Sequence, residues 1–260
     1  MKNNQAIQEH IINWLLNYCE VSKLEGFIIG ISGGIDSALT SVLCAMTNKK
    51  VICLNMPLRQ NQDEYTRAVN QIKMLESRFQ NVSSLEIDLT DTFTSFEKIL
   101  PSNVKQHGLS MANSRARLRM TTLYAVGQAN NLLVVGTGNK VEDFGIGFYT
   151  KYGDGGVDLS PIADLYKTEV FELAKYVGVI EEILNAKPTD GLWEDERNDE
   201  DQIGATYEEL EWAMENLDCS PENLSSRQKE VLTIYLRFNR VNKHKMEPIP
   251  VCIIPQSIKK

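Results

Sequence analysis

The residues of this chain best suited to chemistry lie in one short run. Gly30-Ile31-Ser32-Gly33-Gly34-Ile35-Asp36-Ser37 follows the apolar Phe27-Ile28-Ile29 and opens the helical stretch Ala38-Leu39-Thr40-Ser41-Val42-Leu43. A strand, a small-residue turn and a helix start in that order leave several backbone N–H groups aimed at one point, where the helix dipole also favours an anion. Gly30, Gly33 and Gly34 let the backbone approach a ligand closely, Ser32 and Ser37 add hydroxyl donors, and Asp36 can hold a divalent cation beside phosphates. The run reads as a phosphate cradle. It lacks the Gly-Lys-Ser/Thr ending of the P-loops that cleave a γ-phosphate.

Other polar clusters stand further along. In the helical stretch Ser110–Asn130, Asn113, Arg115, Arg117 and Arg119 precede the apolar Leu123-Tyr124-Ala125-Val126; Arg115 and Arg119, four apart, share a face that Arg117 does not. Such arginines serve either as phosphate clamps or as a structural ion-pair network. Thr137 and Glu142 follow the strand-like Leu132–Val135, and a carboxylate there can complete an Mg²⁺ site with Asp36 and phosphate oxygens. Seven of the sixteen glycines fall within 136–164, interleaved with Asn139, Lys140, Lys151, Asp154 and Asp158 and with four aromatic residues, which favours an ordered binding loop. A second segment, 188–204, carries six carboxylates between Glu194 and Asp201 and reads as a mobile acidic loop, with Thr189, Asp190 and Trp193 as its candidates for ligand contact.

These groups need a frame. Strand-like runs at Gly26–Ile31, Val51–Met56, Leu85–Leu89 and Leu132–Val135 alternate with helical patterns at Asp36–Thr47, Asn61–Phe79 and Ser110–Asn130. An amphipathic helix over Gln5–Cys19 precedes them, its stripe able to cover the sheet or a second subunit, and helices over Tyr207–Met214 and Ser226–His244 follow. The alternation predicts an α/β fold, a doubly wound parallel sheet with helices on both faces, in one domain over residues 1–260. Ligands in such sheets bind at the carboxyl ends of the strands, where the cradle falls.

Composition narrows the function classes. The net charge of −8 offers no general basic field for nucleic acid or an anionic membrane, so phosphate affinity must be local. Five cysteines without C-x-x-C spacing read as thiols of a reducing cytoplasm rather than zinc ligands. The start of the chain lacks a signal-like apolar region, and no apolar run approaches the ~18 residues of a membrane span. A cytoplasmic location is expected.

The pattern Ser-Gly-Gly-x-Asp-Ser resembles the pyrophosphate-binding loop of the ATP pyrophosphatases, which cleave ATP between its α and β phosphates. A narrower resemblance follows from Gly136-Thr137-Gly138-Asn139-Lys140-Val141-Glu142, from Gly147-Phe148-Tyr149-Thr150-Lys151-Tyr152-Gly153-Asp154-Gly155-Gly156-Val157-Asp158, and from Pro161-Ile162 and Lys167. In that order and spacing they look like the NAD synthetases, from the N-terminal helix to His244-Lys245. The family's frequent Arg after His-Lys is here Met246, and 100–108 is not matched residue by residue.

The resemblance implies roles by position. Gly30, Ser32, Gly33, Gly34 and Ser37 with the loop amides would hold ATP phosphates, Asp36 and Glu142 would bind Mg²⁺, and Arg119, Thr137, Lys167 and Thr189 would contact ATP. Asn113, Arg117, Lys151, Asp154, Asp158, His244 and Lys245 fall at positions that bind the deamido dinucleotide, partly across a homodimer interface. The implied reaction is ATP-dependent amidation of deamido-NAD by free ammonia through an adenylate, with Asp36, Lys167 and Arg119 central to catalysis; ammonia is expected because the first strand comes at Gly26, leaving no room for an N-terminal amidase domain. Amidation of another carbonyl, as in GMP or asparagine synthetases, would use the same loop, but the Thr-Lys-Tyr-Gly-Asp-Gly segment speaks against it. A tRNA-thiolating relative would bring paired cysteines and a basic surface. A nucleotide-binding regulator would have lost Asp36, Glu142 or Lys167, and all three are present.

Overall fold

A computed structural model describes residues 3–186 and 199–259. The order is α1 (Asn4–Ser22), β1 (Gly26–Gly30), α2 (Ile35–Ala45), β2 (Lys50–Asn55), α3 (Gln62–Arg78), β3 (Val82–Glu86), α4 (Thr90–Ile99), α5 (Ser102–Lys105), α6 (Gly108–Ala129) and β4 (Leu132–Val134). There follow a single π-helical turn (Val141–Ile146), α7 (Lys167–Val177), α8 (Glu181–Leu184), α9 (Asp199–Ile203), α10 (Tyr207–Glu215) and α11 (Ser226–Met246).

The four strands are parallel in the order β3-β2-β1-β4. Their residues alternate between two apolar layers, as strand periodicity requires. Phe27, Ile29, Val51, Cys53 and Leu133 face a core shared with α1, α2, α3 and α7. Ile28, Ile52, Leu54, Leu132 and Val134 face a second core closed by Phe93 of α4 and by Met111, Leu118 and Leu123 of α6. Both faces are covered, which is the doubly wound arrangement. A third cluster joins Val141 and Ile146 to Ile203, Tyr207, Leu210, Val231 and Tyr235, so α9 to α11 pack on the π-helical turn.

The winding fixes the site. From β1 the chain steps outward to β2 and β3 through α2 and α3, then returns through α4 to α6 to lay β4 on the other side of β1. The direction reverses between β1 and β4, and the loops leaving those strands diverge over a crevice at their carboxyl ends.

Local boundaries shift from the expectations for identifiable reasons. β3 begins at Val82, not Leu85, because Val82 is its inward residue while Leu85 is half exposed. The Ile87 and Leu89 amides still donate to Asn55 and Pro57, so the expected stretch does track β2 beyond the ladder. The glycine-rich region is ordered as expected; its chain returns beside β4, where Gly136 donates to Leu159 O (2.8 Å) and Asp158 to Val134 O (2.9 Å). Of the expected mobile loop over 188–204, Asp199–Ile203 form α9, and Thr189, Asp190 and Trp193 lie outside the described residues.

Candidate active site

The cradle is tied together by its own hydroxyls. Ser37 Oγ accepts from the Ser32 amide (3.2 Å), lies 3.0 Å from Ser32 Oγ and donates to Gly34 O (3.0 Å), while Ser32 Oγ accepts from the Gly34 amide (3.2 Å). Ala38 makes the first helical bond of α2, to Gly34 O at 3.1 Å, so the amides just before it are the orphan donors of the first turn. Gly33 adopts a left-handed conformation (φ 85°), and a Cβ there would stand 2.3 Å from the Glu64 carbonyl oxygen of α3. The tight turn and the close approach of α3 both require glycine.

Lys167, the first residue of α7, is 4% exposed. Its Nζ donates to Asp36 Oδ2 (2.6 Å) from the first turn of α2 and to Glu142 Oε1 (3.0 Å) from the π-helical turn after β4. Three segments leaving the sheet edge thus converge on one ammonium. Asn139 holds Asp36 from the other side, its Nδ2 donating to Oδ1 (3.1 Å). Burial pushes the Asp36 carboxyl up, and the Lys167 ammonium opposes that rise. Nearby Asp143 is pushed up to about 8, first by burial and then by the charges of Glu142, Asp154 and Asp36. The centre is therefore rich in carboxyl groups, with one ammonium set between two of them.

Thr137 lies just beyond β4, at the crevice. Arg119 of α6 is half-buried near the end of β2, its Nε donating to Met56 O (3.2 Å) and its Nη2 to Gln60 Oε1 (3.4 Å). Burial, then the Arg115 charge, bring it down to about 10.

A second polar group lies between α6, the glycine-rich loop and the end of α11. Thr150 donates through Oγ1 to Asn113 Oδ1 (2.7 Å) and through its amide to Asp154 Oδ1 (3.1 Å). Arg117 Nε donates to Lys151 O (3.3 Å), and Lys151 Nζ donates to His244 O. Lys245 Nζ donates to Gly147 O and Tyr149 O, both at 2.8 Å; burial lowers its pKa. Asp158 sits at the sheet edge with both oxygens engaged, accepting from Tyr124 OH (3.0 Å) and the Val134 amide (2.8 Å).

The NAD synthase family model matches residues 7–248. The NH(3)-dependent NAD(+) synthetase of Mesoplasma florum is 37% identical over 222 residues, covering 84% of this chain and 87% of that protein. The chain belongs to the NAD synthase family.

Among solved structures, the NMN synthetase of Francisella tularensis superposes with a TM-score of 0.81 at 33% identity, covering 97% of this chain and 98% of that one. The NH3-dependent NAD synthetase of Campylobacter jejuni, in complex with the nitrate ion, gives 0.77 at 26% identity, covering 96% and 99%. The known reaction of the NAD synthase family is amidation of deamido-NAD with ATP, and this chain is a ligase of that family.

For a NAD synthase, three further residues at the centre went unread in the sequence. Asn139, one of the polar residues interleaved in the glycine-rich run, orients Asp36. Arg67 of α3 donates through Nε to Gly33 O (3.1 Å) and lines the hollow formed by Gly33, Gly34, Asp36 and Lys167. Tyr207, read only as the start of a helix, donates to Glu142 Oε1 (2.7 Å). Asn139, three residues before Glu142 in a turn, offered a local signal; Arg67 and Tyr207 had none, since packing of separate helices brings them in.

Proposed function

We propose that this chain makes the amide of NAD from deamido-NAD, ATP and free ammonia at the crevice between β1 and β4. The observation that carries the reading is the placement of Lys167, held by Asp36 and Glu142 at the first turn of α2. An ammonium, a helix N-terminus and a cradle of backbone donors together suit the triphosphate of ATP.

A carboxylate is a poor acyl donor, because ammonia would have to expel an oxide. Attack of a nicotinic acid carboxylate oxygen on the α-phosphorus, with cleavage of the bond to the bridging oxygen of the β-phosphate, yields an acyl adenylate and pyrophosphate. Ammonia then adds to the carbonyl carbon; AMP departs with the bridging oxygen and the surplus proton passes to solvent. The protein's part is positioning and charge stabilisation. The Ser32 and Ser37 hydroxyls and the cradle's backbone amides hold the β and γ phosphates, Lys167 neutralises the leaving pyrophosphate, and Arg119 and Thr137 position the nucleotide beyond Gly30.

Asp36 and Glu142 are the residues that would hold Mg²⁺. The donor set fits: two hard carboxylates meet at one crevice, both within reach of the same ammonium. One or two carboxylates completed by phosphate oxygens is the usual Mg²⁺ arrangement. The ion would supply charge neutralisation of the triphosphate.

The polar group formed by Asn113, Arg117, Lys151, Asp154, Asp158, His244 and Lys245 binds the deamido dinucleotide, shared across a homodimer. An outward apolar strip on α1 supports a subunit contact: the tilted rings of Trp14 and Tyr18 lie 5.7 Å apart and stay 38% and 40% exposed, while Ile11, Leu15 and Cys19 face the core. No helix among the described residues is long and apolar enough to cross a membrane. The free thiols of Cys19, Cys44 and Cys53 in the core support a reducing, cytoplasmic setting.

The likeness to the Francisella NMN synthetase favours a second reading, in which the same chemistry amidates nicotinic acid mononucleotide. One assay separates the two. The purified chain is given ATP, Mg²⁺ and ammonium or glutamine with either deamido-NAD or the mononucleotide, and products are resolved by chromatography. NAD from deamido-NAD with ammonium alone is expected. Faster turnover of the mononucleotide would establish the second reading, and no amide from either would overturn both.

A further inference from the structure

We infer that Tyr207 is a positioning residue of the reaction centre, locking the Glu142 carboxylate and the Lys167 ammonium into one arrangement. This rests on the assignment of Glu142 and Lys167 to that centre. Tyr207 opens α10, more than sixty residues beyond Glu142. It is 3% exposed and belongs to the apolar cluster of Val141, Ile146, Leu210 and Val231. A buried phenol needs a partner for its O–H, and any nearby carbonyl would serve. Here the partner is Glu142 Oε1, at 2.7 Å.

That oxygen also accepts from Lys167 Nζ at 3.0 Å, and the same Nζ lies 4.7 Å from the centroid of the Tyr207 ring. One side chain therefore acts on both partners: the hydroxyl fixes one carboxylate oxygen, and the ring face receives the ammonium. Glu142 Oε2 accepts no hydrogen bond from the described residues, so the phenol commits one oxygen to the protein and leaves the other for a cation. Tyr207 is itself held at both ends of its residue. Its amide donates to Glu200 Oε1 (3.0 Å), and the preceding Thr206 forms a reciprocal cap with Glu209. Glu142 rides on a single π-helical turn, a form that recurs at functional sites. A ligand's orienting partner of this kind typically carries 10–100-fold in metal affinity or activity.

The test is Tyr207→Phe, which keeps the ring and the packing and removes only the hydroxyl. Mn²⁺ is titrated into wild type and variant in the presence of α,β-methylene ATP, with free Mn²⁺ read by electron paramagnetic resonance, alongside kcat, KM for ATP and the thermal midpoint. About 10–100-fold weaker Mn²⁺ binding is expected, with kcat reduced and the midpoint close to wild type. Tyr207→Leu, which also removes the ring, should lose at least as much. Wild-type Mn²⁺ affinity and kcat in Tyr207→Phe would overturn the inference, as would a midpoint that falls in step with affinity. A wild-type chain that forms no amide would instead overturn the proposed function, and is seen in the same experiment before any variant is compared.

Discussion

Lys167 and Asp36 are 131 residues apart in sequence and 2.6 Å apart in the fold. The lysine side chain is 5% exposed and the aspartate side chain 17%, so the pair is largely withdrawn from water. Removing one partner of such a pair leaves an uncompensated charge, which costs far more than the pair itself contributes.

Lys167→Met should accordingly destabilise the fold by about 3 kcal/mol or more, because Asp36 and Glu142 lose their shared cation. Amide formation should fall roughly 10²–10³-fold, the scale of a preorganised electrostatic group. Urea unfolding and single-turnover pyrophosphate release measure the two effects separately. A variant with wild-type turnover would remove Lys167 from the mechanism.

Asp36→Asn keeps the shape and the contact with Asn139 while removing the charge. Pyrophosphate release should be abolished with the circular dichroism spectrum unchanged. Normal turnover would show that the metal is held elsewhere.

Gly33→Ala places a Cβ 2.3 Å from the Glu64 carbonyl at a φ of 85°. The loop or α3 must then shift, at a cost of about 1–3 kcal/mol in strain. Weaker ATP binding by calorimetry should accompany the lower unfolding midpoint, since the displaced amides are those of the cradle.

Asp143 gives a pH dependence with a defined sign. Its pKa rises from the usual carboxylate range to about 8 on folding, so the native state binds more protons than the unfolded chain between roughly pH 4 and pH 8. Stability from this group is full below pH 4, falls as pH rises through that window, and is constant above it. In the metal-free protein, Asp143→Asn should gain on wild type by about a few kcal/mol between pH 5 and pH 8. Urea titrations in chelator at several pH values measure this, and parallel curves would place the carboxyl in an ordinary environment.

Arg117 is exposed and makes one long bond, to Lys151 O at 3.3 Å, so its loss should leave the fold intact. Arg117→Ala should raise KM for deamido-NAD about 10-fold or more, the weight of a charge-assisted phosphate contact, with KM for ATP unchanged. Sedimentation of the wild-type chain should show a dimer; an active monomer would sink the shared site.

The sequence by itself determined the parts of this protein that are written in neighbouring residues. The cradle was legible because Gly33, Gly34, Asp36 and Ser37 act within one turn, and the unbroken apolar runs of β1, β2 and β4 announced strands covered on both faces. Glu142 was legible from its place after β4, although the π-helical turn that carries it was not. The start of β3 was misplaced because an edge strand with half-exposed residues has a weak apolar pattern. What only the tertiary structure decided is which of these groups meet. The reversal between β1 and β4 brings Asp36 beside Glu142, docking of α7 drives Lys167 between them, and the α10 cluster delivers the Tyr207 hydroxyl to the same oxygen. Local chemistry follows from residue spacing along one element, whereas these contacts depend on how separate apolar faces pack, and that is a property of the whole core.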